Sequence, residues 1–141
     1  MTVRVLGLDV GQRRIGVALS DPLGLTAQRL TLVERTTFRR DLEAVAVFVR
    51  EHKAQAIVVG LPLTLHGEVG EQAKGVMQFV DALRAAVDCP VHVLDERFTT
   101  VQGERALLAT DTPRRRRKLL IDQVAAQLIL QAYLDATPQP S

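Results

Sequence analysis

The sequence predicts an α/β protein whose mixed five-stranded sheet is flanked by helices, and two observations lead to this fold class. The first is a change of pattern along the chain, because three strand-like segments come first and strands then alternate with helical spacing. The second is that the fourth strand, residues 56–60, is short and wholly apolar, which is typical of a strand covered on both faces. The predicted order of elements is β-β-β-α-β-α-β-α-α.

The first half of the chain predicts an antiparallel meander followed by a helix. Short connections join the three strands, the first of them around Gly11. The third strand alternates apolar and polar residues, so one of its faces is covered. Leu42, Val45 and Val49 then recur at helical spacing. The predicted strands span residues 3–10, 15–20 and 27–34, and the helix spans residues 38–52.

The second half of the chain predicts two buried strands and three helices. Pro62 ends the fourth strand, and a loop containing Gly67 and Gly70 follows it. Right-handed crossovers make the later strands parallel to the first. One arrangement consistent with these directions, which we expect, has the strand order 3-2-1-4-5 with strand 2 antiparallel. The predicted strands span residues 56–60 and 91–94, and the helices span residues 73–87, 100–109 and 118–134.

Length and composition fit one compact domain that does not enter a membrane. The chain has 141 residues, 47% of them hydrophobic, and no apolar run reaches the roughly 18 residues of a membrane span. The N-terminus lacks the pattern of a signal peptide, and a single cysteine excludes an internal disulfide. We therefore expect a cytoplasmic protein with one domain over residues 1–136 and a flexible tail over residues 137–141.

The positive charge is clustered although the net charge is only +2. A run of five basic residues precedes the last predicted helix, at Arg114, Arg115, Arg116, Arg117 and Lys118. Like charges repel one another unless a polyanion neutralises them, so this run predicts a contact with nucleic acid. The pair Arg39 and Arg40 is interpreted as solvated surface.

Four acidic residues lie in or next to segments that are predicted to be buried, where an unpaired charge would be costly. Asp9 comes late in the first buried strand, Asp95 and Glu96 follow the fifth, and Asp122 lies within an apolar helical pattern. The carboxyl ends of parallel strands form the ligand-binding edge of an open α/β sheet. A shared cation would relieve both the burial cost and the mutual repulsion of the carboxylates. An all-oxygen site favours Mg²⁺ or Mn²⁺ over zinc.

The neighbouring acids Asp95 and Glu96 point to opposite faces of an extended strand. We expect Glu96 to face the site, because Asp95 could cap the helix that follows, and Asp95 is kept as the reserve candidate. Arg97 is expected either to touch phosphate or to pair with a neighbouring acid.

The other two acids also have structural interpretations. Asp9 could cap backbone N–H groups in the turn at Gly11. Asp122 could be a first-turn aspartate favoured by the helix dipole. However, Asp122 shares a helix face with the apolar or small residues three, four and seven positions later, which favours an orientation toward protein.

Short segments, spread in order over nearly the whole chain, resemble those of a known family. They are residues 7–11 (GLDVG), 13–18 (RRIGVA), 20–21 (SD), 59–63 (VGLPL) with Gly67 and Gly70, 95–100 (DERFTT), 122–126 (DQVAA) and 129–134 (ILQAYL). Together they resemble the YqgF/RuvX family of bacterial RNase H-like nucleases. The resemblance implies an RNase H-like fold and a divalent-metal nuclease whose acidic site is Asp9, Glu96 and Asp122. It also implies one of two substrates, the 5′ region of precursor 16S ribosomal RNA or four-way (Holliday) DNA junctions.

The predicted function is therefore that of a cytoplasmic endonuclease, acting as a monomer or homodimer, that uses Mg²⁺ or Mn²⁺ to hydrolyse phosphodiester bonds in structured nucleic acid. Two alternatives are a noncatalytic nucleic-acid-binding protein and an actin-like ATP-binding domain. The second would need two such domains around its nucleotide. The predicted substrate contacts are Gly11, Arg13, Arg14, Arg97, Thr100, Arg114, Arg115, Arg116, Arg117 and Lys118.

Overall fold

The computed structural model describes residues 3–64, 66–99 and 114–136, and it gives only the backbone of Phe98 and of residues 114–123. Its five strands form one sheet in the order β3-β2-β1-β4-β5, which confirms the predicted order. The strands are β1 (Val5–Val10), β2 (Arg14–Ser20), β3 (Ala27–Glu34), β4 (Ala56–Leu61) and β5 (Val91–Asp95). The helices are α1 (Phe38–His52), α2 (Glu71–Ala86) and α3 (Arg114–Ala136), and a 3₁₀ turn spans Glu96–Phe98.

The pairing of the strands confirms the predicted directions. β2 runs antiparallel to β1 and β3, while β4 is parallel to β1 and β5 is parallel to β4. The carboxyl ends of β1, β4 and β5 therefore lie at one edge of the sheet. This edge carries Asp9, Asp95 and Glu96.

Each face of the sheet is covered by its own hydrophobic core. Leu6, Leu8 and Val10 of β1 pack with α1 and α2 on one face. Val5 of β1 packs with α3 on the other face. Because side chains alternate along a strand, Gly7 and Asp9 share the face of Val5. Asp9 is thus directed toward the α3 side of the sheet.

Helix α3 packs closely on the sheet because β1 has a glycine beneath it. A Cβ built on Gly7 would lie 2.6 Å from Cβ of Leu130 and 3.0 Å from the carbonyl oxygen of Ala126. Amide side chains also tie α3 to the edge of the sheet, since Gln127 donates to the carbonyl of Ala27 and Gln131 accepts from the N–H of the same residue. The position of α3 over β1 is therefore fixed at two places.

Several element boundaries differ from the prediction. Helix α3 begins at Arg114 rather than Lys118, and α2 begins at Glu71 rather than Ala73. Arginine and glutamate are good helix formers but are not apolar, so hydrophobic spacing does not mark these starts. The predicted helix over residues 100–109 and the predicted tail over residues 137–141 lie outside the described residues.

None of the helices within the described ranges combines the length and the apolar character that crossing a membrane requires.

Candidate active site

Asp9 lies near the carboxyl end of β1 and is buried, with 7% of its surface exposed. Its partner in the antiparallel pairing with β2 is Gly16. On the other side Leu8 pairs with Val59 of β4, so the register, continued by one residue, places Gly60 beside Asp9. A glycine therefore flanks Asp9 on each neighbouring strand, and the sheet surface beside its carboxylate is free of side chains at both positions.

Glu96 follows β5 and is more deeply buried, with 2% of its surface exposed. It reaches the same place from the opposite side, because a Cβ built on Gly60 would lie 3.0 Å from Oε1 of Glu96. The same Cβ would collide with Ile129 of α3. Gly60 thus leaves the space into which the Glu96 carboxylate extends, and Asp9 and Glu96 both border this residue on the α3 side of the sheet.

Asp95 has a different role from its neighbour. Its carboxylate accepts the backbone N–H of Arg97 at 2.9 Å and so caps the 3₁₀ turn, as the sequence suggests. It also pairs with the Arg97 guanidinium, with Nη2 2.7 Å from Oδ2. Hydrogen bonding from Arg97 holds the pKa of Asp95 below its usual range. Arg97 is thereby paired with a neighbouring acid, which is one of the two interpretations that the sequence allows.

The Asp95–Arg97 pair supports the loop that follows β4. Gly67 has a left-handed backbone, with φ of 79°, and a Cβ there would lie 2.9 Å from Nη1 of Arg97. The loop closes through hydrogen bonds from the N–H of Gly67 to the carbonyl of Thr64 and from the N–H of Glu68 to its hydroxyl. Gly67 therefore serves both the turn and the close approach of the guanidinium.

Asp122 lies within α3, in its third turn. A helix that begins at Arg114 does not have Asp122 in its first turn, so the interpretation as a first-turn aspartate is wrong. The helical spacing places residue 122 on the same face as Ala125, Ala126 and Ile129, which are all buried against the sheet. Its side chain is not among those described, so its convergence with Asp9 and Glu96 stays a prediction.

The chemistry of the described acids fits a hard divalent cation. Asp9 and Glu96 supply carboxylate oxygens, which Mg²⁺ and Mn²⁺ prefer, and Gly60 keeps a bulky side chain out of the space beside them. Within residues 3–64, 66–99 and 114–136, no group of three acidic, histidine or cysteine side chains is assembled. A third protein ligand would therefore come from a side chain such as that of Asp122.

The predicted substrate contacts at the β1–β2 turn are Gly11, Arg13 and Arg14, and their surroundings differ. Arg14 lies in β2 and pairs with Glu34 of β3, with Nε 2.7 Å from Oε1, whereas Arg13 is exposed at the turn. Gly11 donates its N–H to the carbonyl of Arg14, and a Cβ on Gly11 would lie 2.8 Å from that oxygen. Gly11 is thus required by the turn itself. Thr100 and the side chains of residues 114–118 lie outside the description.

One partly buried ion pair near the site, between Arg35 and Asp41, is missing from the sequence prediction. The guanidinium of Arg35 donates to Asp41 at 3.0 Å and to the carbonyl of Gly11 at 2.8 Å, so it joins α1 to the β1–β2 turn. Asp41 also accepts the N–H of Thr36 and is almost fully buried. The signal in the sequence is an aspartate within the first turn of a helix, which is equally common at exposed helix starts.

Comparisons with known proteins identify the family and the fold. The sequence profile of a family described as RuvX, Holliday junction resolvase, matches residues 3–136. A protein of Moorella thermoacetica named "Putative pre-16S rRNA nuclease" is 52% identical over 137 residues, which cover 97% of this chain and 98% of that relative.

Solved structures of low sequence identity share the fold. Thermus thermophilus RuvC in complex with a Holliday junction substrate has a TM-score of 0.61 at 19% identity and covers 99% of both chains. The fowlpox virus Holliday junction resolvase has a TM-score of 0.56 at 11% identity, with 96% of this chain and 100% of that chain covered. These likenesses confirm the predicted RNase H-like fold. The profile match and the close relative together establish that the chain belongs to the RuvX family.

Proposed function

We propose that this nuclease is a divalent-metal-dependent endonuclease that hydrolyses phosphodiester bonds in structured nucleic acid. The observation that carries the proposal is the placement of two buried carboxylates, Asp9 and Glu96, beside Gly60 at the carboxyl edge of the sheet. Two buried acids at one place are costly unless a cation or hydrogen bonds compensate them. Phosphodiester hydrolysis is a reaction that uses such a cation.

The proposed ligands of the cation are Asp9, Glu96 and Asp122, and the proposed cation is Mg²⁺ or Mn²⁺. When bound, such an ion activates water and neutralises charge on the phosphate. The residues of the chain position the carboxylate ligands and keep other side chains out of the site. Burial restricts the Glu96 carboxylate to one place, Gly60 keeps a side chain out of that place, and the Asp95–Arg97 pair holds the turn from which Glu96 projects.

The proposed substrates are precursor 16S ribosomal RNA and four-way DNA junctions. The description of the family refers to the Holliday junction, whereas the name of the Moorella thermoacetica relative refers to precursor 16S ribosomal RNA. The basic run over residues 114–118 supports either polyanion, because contacts with phosphate do not distinguish between sequences. Both substrates are cytoplasmic in bacteria, so we propose a cytoplasmic protein. Symmetric cleavage of a junction would require a homodimer, while a ribosomal precursor can be cut by a monomer.

The decisive experiment is a side-by-side cleavage assay of a precursor 16S RNA fragment and a four-way junction, each with Mg²⁺ and with Mn²⁺. Asp9→Asn and Glu96→Gln preserve the shape of the side chains but remove the negative charge. We expect each to lower the rate at least about 100-fold while leaving the melting temperature, measured without metal, within a few degrees of the parent. Asp81→Asn in α2 is the matched control, because Asp81 is exposed and forms a surface ion pair with Arg84.

Each outcome separates the proposal from its alternatives. Binding of both substrates without metal-dependent cleavage by the parent protein would identify a noncatalytic binding protein. A substantial rate retained by Asp9→Asn would refute the metal-ligand role of Asp9. Thermal stabilisation by ATP, without cleavage of either substrate, would support the ATP-binding alternative instead.

A further inference from the structure

A cavity of about 290 Å³ lies at the carboxyl edge of the sheet, on the face opposite to Asp9 and Glu96. The β1–β2 turn, the start of α1 and the first half of α2 surround it. Its lining residue Gln12 is close in the chain to Asp9, since the three Cα–Cα steps between them span at most about 11 Å. A strand of nucleic acid that crosses this edge would therefore pass the cavity within about three stacked nucleotides of the acids.

The lining of the cavity combines an exposed aromatic ring with neutral amides. Phe38, at the start of α1, is 46% exposed, and its ring stands edge-on to the buried Phe79 with a centroid distance of 5.8 Å. The exposed side chains of Gln12, Gln72 and Gln78 border the same space. Amides both donate and accept hydrogen bonds, so this lining suits a flat ligand with polar edges.

The charges around the cavity do not favour a phosphate. The guanidinium of Arg35, which also borders the cavity, is already paired with Asp41 and with the carbonyl of Gly11. Glu71 at the start of α2 adds a negative charge to the rim. A neutral group is therefore accommodated more readily than an anion.

Gly75 of α2 is an exposed residue that borders the cavity. Glycine inside a helix lowers stability relative to alanine, so an interior glycine usually has a packing reason. Here a Cβ built on Gly75 would meet no atom of the described residues within 4 Å. The absence of a side chain at this position instead leaves space in the cavity.

We infer that this cavity binds one unpaired nucleobase of the substrate, stacked against Phe38 and passing over Gly75. The inference rests on the proposed function and adds a site that recognises an unstacked base beside the cleaved bond. Base–aromatic stacking is tolerant of sequence because every base has a π-face. The site would thus select for unpaired nucleotides rather than for a sequence, in either RNA or DNA.

The test measures binding in an Asp9→Asn background, so that cleavage does not interfere, with RNA and DNA substrates that carry single abasic sites at successive positions. Phe38→Ala should weaken binding by roughly 5- to 150-fold, and Phe38→Tyr should restore it because the ring is kept. Gly75→Leu should weaken binding by filling the cavity while raising the melting temperature, because leucine is the better helix former. Ala85→Leu, on an exposed part of α2 away from the cavity, is the matched control and should not alter binding.

A substrate with an abasic site at one position should bind the Asp9→Asn protein more weakly by a similar factor. The same abasic site should not weaken binding further when Phe38→Ala is also present. Weaker binding of the abasic substrates in the RNA series, in the DNA series or in both shows whether the bound base belongs to RNA, to DNA or to either. Unchanged affinity in both Phe38→Ala and Gly75→Leu would overturn the inference while leaving the proposed function intact, provided that the wild-type protein cleaves. Absence of both binding and cleavage by the wild-type protein would overturn the two proposals together.

Discussion

Asp95 and Glu96 show how one step along the chain separates two roles. Asp95 ends β5 and caps the following 3₁₀ turn, whereas Glu96 is the first residue of that turn and is buried beside Gly60. The pairing of Asp95 with Arg97 at 2.7 Å then fixes the turn that carries Glu96. Asp95 therefore acts on the site through its neighbour, as a positioning residue.

The lowered pKa of Asp95 predicts a pH-dependent contribution to stability. A carboxyl whose pKa is lower in the folded than in the unfolded state stabilises the fold above about pH 4, and the contribution is lost as the pH falls through the lowered value. Asp95→Asn keeps an acceptor for the cap but loses the ion pair. We expect it to lower the free energy of unfolding by about 1 kcal/mol at neutral pH.

Urea unfolding at several pH values checks this prediction. The difference in the free energy of unfolding between the parent and Asp95→Asn should narrow below about pH 4, where the parent also loses the charge. Glu43→Gln on α1, which removes an exposed partner of Arg39, should change the free energy by less than about 0.5 kcal/mol at any pH. A difference for Asp95→Asn that is independent of pH would show that the ion pair does not contribute.

Among the secondary-structure elements, α3 is unusual because positive charge is concentrated at its N-terminus. The basic run lies within the first two turns of the helix rather than before it. Positive charges at a helix N-terminus are unfavourable, because the helix dipole already places partial positive charge there. No acidic residue lies in the first turn to offset them. The helix is thus stabilised when a polyanion lies across its start.

Replacing Arg115 and Arg116 together by alanine should therefore separate stability from binding. The free energy of unfolding should rise by up to about 1 kcal/mol at low salt, because two unfavourable charges are removed from the first turn. Binding of nucleic acid should weaken, and the slope of log affinity against log salt should fall by about 0.9 for each lost contact with duplex phosphate.

Urea unfolding checks the predicted rise in stability of this variant, and binding measurements at several salt concentrations check the predicted loss of phosphate contacts. Arg39→Ala with Arg40→Ala, in the first turn of α1, is the matched control, since these arginines are interpreted as solvated surface. It should leave the salt slope of binding unchanged. An unchanged slope in the Arg115 and Arg116 variant as well would remove the basic run from the substrate contacts.

The elements also show where sequence patterns are informative. The apolar run that became β4 is recognisable because a strand buried on both faces needs apolar residues throughout. The prediction that β5 is also a buried strand is wrong, because β5 lies at the edge of the sheet and only Val91 in it is buried. The starts of α2 and α3 are not recognisable in the sequence, because neither Glu71 nor the basic run from Arg114 carries a hydrophobic pattern. Boundaries set by backbone hydrogen bonding alone are therefore the ones that the sequence leaves undetermined.

At the scale of the whole molecule, topology brings distant residues together and side-chain packing decides their geometry. The strand order, which follows from right-handed crossovers, predicts that Asp9 and Glu96 lie at the same edge of the sheet. It does not predict that Gly60 separates them or that Arg35 joins Gly11 to Asp41. Those contacts depend on side chains from elements far apart in sequence, for which a local pattern carries no signal.

This organisation leads to a prediction about metal and stability. If Asp9, Glu96 and Asp122 share one ion, the ion links β1, the turn after β5 and α3, and so it stabilises the folded state as a whole. At a free Mn²⁺ concentration of 100 times the dissociation constant, the free energy of unfolding should rise by about 2.7 kcal/mol. Without metal, Asp9→Asn should be at least as stable as the parent, because one of the mutually repelling carboxylates is gone.

Thermal and urea unfolding of the parent, Asp9→Asn, Asp122→Asn and the control Asp81→Asn, with and without Mn²⁺, check this prediction. Asp9→Asn and Asp122→Asn should each lose most of the stabilisation by metal, whereas the control should retain it. Stabilisation of Asp122→Asn equal to that of the parent would show that α3 supplies no ligand. In that case the ion would be held at the sheet edge alone, and α3 would serve to cover the acids and to carry the basic run.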